Sequence, residues 1–216
     1  MFITLEGPDG SGKTSQLAPL AEFLRSQGYA VVTTREPGGT PISNQVREIL
    51  LNRMENTAMH PRTEILLFCA SRAQHVEEFI RPQMAAGNIV ICDRYSDSTL
   101  AYQGYGHGLD IDALRNLLNF TTGNLWPDLT LLLDVAAETG LRRRQKGGEE
   151  WNRLDAYAVQ FHCRVQKGYH QLMQDEPQRW HRIDAEKSPD EVQSQMQQAI
   201  LRYLNLQQWP KAKNSV

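Results

Sequence analysis

The segment Gly7–Thr14 constrains the fold of this chain more than any other part of its sequence. It reads Gly-Pro-Asp-Gly-Ser-Gly-Lys-Thr and fits the pattern G-x-x-x-x-G-K-[ST], between an apolar run and a helical pattern. Glycines let the backbone curl so that several N–H groups point at one anion, and the helix start adds partial positive charge. The segment therefore predicts a nucleoside triphosphate site contacted by Gly7, Pro8, Asp9, Gly10, Ser11, Gly12, Lys13 and Thr14.

Short apolar runs alternate with longer helical patterns along the rest of the chain. Strands are predicted at Phe2–Glu6, Ala30–Thr34, Asn88–Asp93, Asp128–Asp134 and Trp180–Asp184. The first four are nearly continuous in apolar residues, which is typical of parallel strands covered on both faces. Helices are predicted over residues 13–26, 41–52, 62–80, 110–121, 136–145, 152–174 and 189–204. This alternation predicts a doubly wound α/β fold with a five-stranded parallel sheet.

Composition excludes several classes of protein. The 216 residues include 23 Lys+Arg and 25 Asp+Glu, a net charge of -2, which argues against a general nucleic-acid binder. The three cysteines form no CxxC pair, which indicates a reducing compartment. The sequence shows no signal peptide and no membrane-spanning apolar run. We expect a cytoplasmic protein with one domain over residues 1–206, no membrane or nucleic-acid partner, and a flexible tail over residues 207–216.

The ends of the second and third predicted strands indicate what the nucleotide is used for. The Asn-Lys-x-Asp stretch with which a GTPase switch reads its base is absent from the sequence. Asp93 and Arg94 follow the third strand at the sheet edge where the phosphate loop lies. Asp93 is predicted to hold water on Mg²⁺, whose other protein contact would be Thr14. Arg94, with Arg35 after the second strand, favours a kinase with a phosphorylated acceptor. A strand-end salt bridge and an exposed loop arginine are the alternatives.

Candidate contacts for a nucleobase lie on the predicted helix 62–80. Phe68 and Arg72 are four residues apart and therefore share a face. An aromatic ring beside a guanidinium suits a base, because the ring stacks and the guanidinium donates to a carbonyl. Tyr102 and Gln103 are weaker candidates for contacts with a sugar and a base edge. A core position is the alternative for Phe68.

These motifs together resemble those of the bacterial thymidylate kinases, which are P-loop nucleoside monophosphate kinases. The resemblance covers about residues 1–205 and rests on the phosphate loop and on residues 35–40 (Arg-Glu-Pro-Gly-Gly-Thr), 67–75 (Leu-Phe-Cys-Ala-Ser-Arg-Ala-Gln-His), 93–95 with Ser98, 101–104 (Ala-Tyr-Gln-Gly) and 133–135 (Leu-Asp-Val). It implies phosphorylation of dTMP to dTDP by ATP with Mg²⁺, for dTTP biosynthesis. It also implies a three-layer P-loop NTPase fold with a helical lid, and a homodimer.

The resemblance implies a role for each candidate at the phosphate and sugar. Arg35 and Arg94 would bind the acceptor phosphate. Asp9 would lie near the sugar 3′-hydroxyl and the metal-bound water. Tyr102 would lie under the deoxyribose, where it disfavours a 2′-hydroxyl.

At the base, the resemblance implies that Phe68 stacks on thymine and Arg72 donates to O4. Gln103 would contact the base or ribose edge. Two positions depart from the family pattern. Ser71 stands where the family often has Asp before the base-reading arginine, and Thr99 stands where some members have Asn.

The segment 141–155 is predicted to form the lid. A phosphate monoester is mostly dianionic at neutral pH, because its second pKa is ~6, so the transfer needs cations rather than a general base. This segment carries Arg142, Arg143, Arg144, Lys146 and Arg153. The phosphate loop lacks the arginine that some thymidylate kinases place there, and in such members the lid supplies it. We therefore predict Arg143 as a nucleotide contact and, as catalytic groups, Lys13, Asp9, Arg94 and Arg153. A solvated, charged helix end is the alternative for the segment.

Two other functions stay open from the sequence. One is a small kinase acting on a different nucleoside monophosphate, or on a deoxynucleoside with Glu36 as the carboxylate base. The other is a module that binds ATP without transferring phosphate. The intact Lys13, Thr14 and Asp93 disfavour the second.

Overall fold

A computed structural model describes residues 1–51, 59–146 and 159–212 of the chain. Within these ranges five strands form one parallel sheet in the order β2-β3-β1-β4-β5. The strands are β1 Phe2–Glu6, β2 Val31–Arg35, β3 Ile89–Asp93, β4 Leu129–Asp134 and β5 Trp180–Asp184. Each lies within one residue of its predicted bounds, and the predicted doubly wound α/β fold is confirmed.

The helices lie between the strands and cover both faces of the sheet. They are α1 Lys13–Ser26, α2 Pro41–Leu51, α3 Pro61–His75, α4 Arg81–Ala85, α5 Ser96–Thr99, α6 Ile111–Thr122, α7 Ala137–Lys146, α8 Val159–Asp175 and α9 Pro189–Leu206. Two π-helical segments, Val76–Ile80 and Leu100–Gly106, continue α3 and α5. The helical stretch from Ser96 to Gly106 was not predicted. None of the helices in the described ranges combines the length and apolar character of a membrane span.

Local capping explains where several helices begin. Ser188 caps α9 by accepting a hydrogen bond from the backbone N–H of Glu191, whose carboxylate in turn accepts from the N–H of Ser188. Proline occupies the first turn of α3 and α9, where its missing N–H costs nothing. The segment between β5 and α9 therefore ends in an ordinary helix cap.

The core lies on both faces of β1, β3 and β4, which explains their continuous apolar sequences. On one face, Leu5 and Leu131 pack with α1 and α9 through Leu20 and Ile200. On the other, Leu132 packs with side chains of α6 and α8. Because all five strands run in one direction, their carboxyl ends, with Glu6, Arg35, Asp93, Asp134 and Asp184, meet at one edge of the sheet.

The described part of the predicted tail contacts the body of the protein. Trp209 packs against the core beside α9. The backbone N–H of Ala212 donates to the carbonyl of Gly28 at 2.7 Å. Beyond Ala212, the flexible tail stays a prediction.

Candidate active site

A cavity of about 470 Å³ opens at the carboxyl edge of the sheet. Such an edge is where α/β proteins of this type bind their ligands. Of the predicted site residues, those lining it are Asp9, Gly10, Gly12, Lys13, Thr14, Arg35, Phe68, Arg72, Asp93, Arg94, Tyr102, Gln103 and Arg143. The fold therefore brings together groups that are up to 134 positions apart in sequence, from Asp9 to Arg143.

The phosphate loop curls around the amine of Lys13. Lys13 Nζ donates to the carbonyls of Gly7 at 2.9 Å and Pro8 at 2.8 Å, and to Ser11 Oγ at 3.0 Å. Burial, with the nearby Arg94 guanidinium, lowers the pKa of Lys13 to about 8. A cation held in this way is ready to exchange these neutral partners for the oxygens of an anion.

The loop also lies against the backbone of α7. Gly10 has φ of 74°, and a Cβ atom there would lie 2.0 Å from the carbonyl oxygen of Gly140. A Cβ atom at Gly140 would lie 2.3 Å from the carbonyl oxygen of Asp9. The close approach of the two backbones therefore requires glycine on both sides.

Thr14 and Asp93 lie together beside the loop. The Thr14 hydroxyl donates to Asp93 Oδ2 at 2.6 Å. These two oxygen ligands fit Mg²⁺, which takes one or two protein ligands and completes its shell with water and substrate phosphates. Among the described residues there is no cluster of three or more metal-ligating side chains of the His, Cys, Asp or Glu type.

Arg94 connects the phosphate loop to the rest of the cavity. Its backbone has φ of 70° and directs the guanidinium back towards the loop. One terminal nitrogen donates to the Gly7 carbonyl at 3.2 Å, and the other forms an ion pair with Asp9. The Tyr102 hydroxyl also donates to Asp9, at 2.6 Å. Burial would raise the pKa of Asp9, but Arg94 and Lys13 outweigh it and hold that pKa below its usual value.

At the far end of the cavity, the buried guanidinium of Arg72 is held on three sides. Its nitrogens donate to Glu36 Oε2 at 2.7 Å, to Thr99 Oγ1 at 3.0 Å and to the Tyr95 carbonyl at 3.0 Å. Burial alone would lower the pKa of Arg72, but the Glu36 carboxylate outweighs it and raises that pKa. The other oxygen of Glu36 is 3.0 Å from Nδ1 of His75. Arg72 is thereby fixed in one orientation.

The sequence that forms this site matches a known protein family. A family model described as thymidylate kinase matches residues 5–196. The chain belongs to the thymidylate kinase family. It is 53% identical over 191 residues to the thymidylate kinase of Thermomicrobium roseum, covering 88% of this chain and 90% of the relative. It is 46% identical to that of Roseiflexus castenholzii, covering 94% of each chain. The crystal structure of thymidylate kinase from Ehrlichia chaffeensis is similar, with a TM-score of 0.73 and 34% identity over 94% of this chain and 98% of the other.

The structure shows what Ser71 and Thr99, the two departures from the thymidylate kinase pattern, contact. Ser71 does not hold Arg72; its hydroxyl instead accepts a hydrogen bond from the Gly38 N–H at 3.3 Å. Glu36 supplies the carboxylate partner of Arg72, and Thr99 supplies a second acceptor. The orientation of Arg72 therefore does not depend on an acid at position 71.

The same contacts bear on the alternative of a nucleoside kinase. Glu36 was its candidate general base, yet both oxygens of this buried carboxylate are engaged, by Arg72 and His75. His75 itself is buried between Glu36 and the hydroxyl of Thr34, which lies 2.6 Å from its Nε2. The geometry therefore disfavours both residues as proton acceptors for a substrate.

The sequence analysis missed a buried acid behind the site, Glu6, and an arginine that lines the cavity, Arg47. Glu6 ends an apolar strand and is fully buried, where it accepts hydrogen bonds from the Tyr95 N–H, the Ser98 hydroxyl and the Tyr169 hydroxyl at 2.6–2.9 Å. Burial, with Asp97 nearby, raises the pKa of Glu6 to about 7. Arg47 of α2 lines the cavity and donates to the Pro37 carbonyl at 2.7 Å. The only local signals are an acid at a strand end and an arginine on the helix after the 35–40 segment.

The lid segment is only partly described. Arg143, at the end of α7, donates to the carbonyl of Ala185 at 2.7 Å and lines the cavity with Arg144. It therefore lies next to the loop that follows β5. Arg153, predicted as a catalytic group, and residues 147–155 of the predicted lid lie outside the described residues.

Proposed function

We propose that this chain transfers the terminal phosphoryl group of ATP to dTMP, giving ADP and dTDP for dTTP synthesis. The observation that carries the proposal is the single cavity that joins the phosphate loop to the buried, fixed guanidinium of Arg72. One end of the cavity fits a triphosphate and its metal, and the other fits a base. Membership of the thymidylate kinase family supports the same conclusion.

The chemistry requires positioning and charge neutralisation. The acceptor phosphate is already nucleophilic as a dianion, so no residue has to remove a proton from it. Lys13 contacts the β- and γ-phosphates, and Arg94, Arg35 and Arg47 hold the acceptor phosphate in line. Thr14 and, through water, Asp93 would hold Mg²⁺, which would supply further charge neutralisation. The protein's part is to hold two polyanions together against their repulsion.

The nucleoside end recognises a deoxyribonucleotide. Phe68 is half-buried at the cavity wall and stacks on thymine. Arg72 donates to O4 with the N–H groups that the protein leaves over, since a guanidinium carries five. Tyr102, fixed by its hydrogen bond to Asp9, packs under the sugar where a 2′-hydroxyl has no room. Arg143 contacts ATP, and Arg153 is the lid group that meets the transferred phosphoryl.

The first test measures ADP release from Mg-ATP in a coupled assay. The acceptors compared are dTMP, dUMP, dCMP, thymidine and none. We expect turnover confined largely to dTMP, because Arg72, Phe68 and the phosphate arginines act together. Turnover with thymidine in place of dTMP would contradict the assignment of Arg94, Arg35 and Arg47 to an acceptor phosphate. ATP binding without acceptor-dependent turnover would leave only the nucleotide site.

We also propose that the protein is a homodimer in the cytoplasm. Helix α3 packs against both α2 and α6, and these three helices expose apolar side chains, namely Ile42, Ile49, Leu66 and Phe120. Exposed apolar side chains grouped in this way are typical of an interface between subunits. The three free cysteines agree with a reducing compartment.

The dimer is tested by adding a charge to this surface. Phe120 is 85% exposed, and a Phe120→Asp variant is expected to sediment as a monomer because a buried carboxylate would oppose association. Leu206→Asp is the matched control, since Leu206 is 72% exposed at the end of α9, away from the three helices. Equal sedimentation of the two variants would argue against this surface.

A further inference from the structure

A buried carboxylate lies behind Gln103, at the base end of the cavity. Glu64 belongs to α3, and its side chain is 1% exposed. Gln103 belongs to the π-helical segment after α5, and it lines the cavity. The amide nitrogen of Gln103 lies 2.6 Å from Glu64 Oε1. His107 Nε2 is the titratable group that also faces this carboxylate, at 3.8 Å.

This contact determines which way the amide of Gln103 points. Gln103 Nε2 donates to Glu64 Oε1, so the NH₂ group of Gln103 faces Glu64. The amide oxygen then points the other way, and no residue in the described ranges donates a hydrogen bond to it. Turning the amide over would place its oxygen against the buried carboxylate, which leaves two acceptors facing each other.

We propose that Glu64 is a positioning residue that sets the base selectivity of this site. By fixing Gln103, it presents an acceptor to the cavity, which suits a pyrimidine with an N3–H donor. This inference rests on the proposed function, because it takes the base end of the cavity to hold thymine. Glu64 does not touch the substrate and acts only through Gln103.

The fixed acceptor is the complement of the fixed donor on the neighbouring wall. Arg72 can only donate, and Glu36 and Thr99 hold it in place. A base bound between Arg72 and Gln103 must therefore accept at C4 and donate at N3, as thymine does. Cytosine has the reverse pattern at both positions, so neither hydrogen bond forms. A site built of fixed polar groups rejects such an analogue strongly, because its own groups are left unpaired.

The test compares dTMP with 5-methyl-dCMP, which keeps the methyl group and changes only C4 and N3. The measured quantity is the ratio of kcat/KM for the two acceptors. We expect Glu64→Gln to lower this ratio by about tenfold, because a neutral amide at position 64 lets Gln103 turn over. The effect should come from faster use of 5-methyl-dCMP as well as slower use of dTMP. KM for ATP should stay unchanged.

A second variant keeps the proposal testable if Glu64→Gln does not fold. Gln103→Leu removes the amide itself, and we expect it to lower the same ratio by about the same factor. In the Gln103→Leu background, Glu64→Gln should then have no further effect on the ratio, since Glu64 acts through Gln103. Glu77→Gln, which changes an exposed carboxylate on the segment after α3, is the matched control.

The outcomes separate this inference from the function on which it rests. No dTMP turnover by the unmodified protein would overturn the function itself. Turnover by that protein, with a ratio that either single variant leaves unchanged, would overturn the role of Glu64 alone. Additive effects in the double variant would mean that Glu64 supports the site generally rather than orienting Gln103.

Discussion

A Lys13→Met variant is expected to lose about 10²–10³-fold in kcat with dTMP and ATP, as when one preorganised transition-state contact is removed. Lys13 is the cation inside the phosphate loop, where its Nζ is held by Gly7, Pro8 and Ser11. Methionine has a similar length and no charge, so the loop loses its contact with the β- and γ-phosphates. Single-turnover formation of dTDP measures the effect directly. Calorimetry should show unchanged affinity for dTMP.

The pH dependence of ATP binding distinguishes this role from a structural one. Burial lowers the pKa of Lys13 to about 8 in the protein without nucleotide, and an adjacent polyphosphate must raise it. ATP affinity should therefore fall as the pH rises above about 8, and the Met variant should lack this dependence. Lys167→Met, at an exposed position of α8, is the control. A loss of kcat below tenfold, or an unchanged pH profile, would contradict the assignment.

An Arg94→Lys variant is expected to lower kcat/KM for dTMP by about 10³-fold, as for an arginine that stabilises a phosphoryl-transfer transition state. The charge is kept, but the planar fork is lost. That fork contacts the Gly7 carbonyl and the Tyr169 hydroxyl on one side and Asp9 on the other. An ammonium group cannot hold these partners and an acceptor phosphate together.

The affinity for ATP gives the internal comparison for Arg94. We expect the dissociation constant of ATP to change little, because Lys13 and the loop N–H groups remain. Arg115→Lys, in a surface ion pair with Glu176, should behave as the unmodified protein. If Arg94→Lys weakened ATP and dTMP equally, Arg94 would support the loop rather than hold the acceptor.

Strands β1, β3 and β4 were predictable because they are apolar on both faces, a pattern with few alternatives. Proline marked the starts of the helices at Pro41, Pro61 and Pro189, since it is favoured in a first turn. The stretch Ser96–Gly106 was missed because serine, threonine and glycine are weak helix formers. Its helical form comes from packing against α6 and α8, which a local pattern does not encode.

The site was predictable where a motif carries its own geometry, as the phosphate loop does. The partners that hold each group were not. Arg72 is paired with a residue 36 positions away. Glu6 receives hydrogen bonds from residues 89 to 163 positions away. Such contacts exist only once the sheet has brought the strand ends together. The spacing of residues along the chain does not predict these contacts.

The pairing of Arg72 with Glu36 makes the two ends of the cavity electrostatically different. The Glu36 carboxylate offsets the positive charge of Arg72, whereas the guanidinium groups of Arg47 and Arg143 are held by neutral backbone carbonyls. Long-range attraction of a phosphate group therefore comes from the end of the cavity that holds Arg47 and Arg143. This attraction sets the rate of encounter and weakens with salt. Under the proposed function, a nucleotide would enter with its phosphate first, and the direction of the hydrogen bonds would then select its base. Phosphate attraction and base selection can therefore change independently in evolution, because a substitution that alters the base preference leaves the arginines at the phosphate end unchanged.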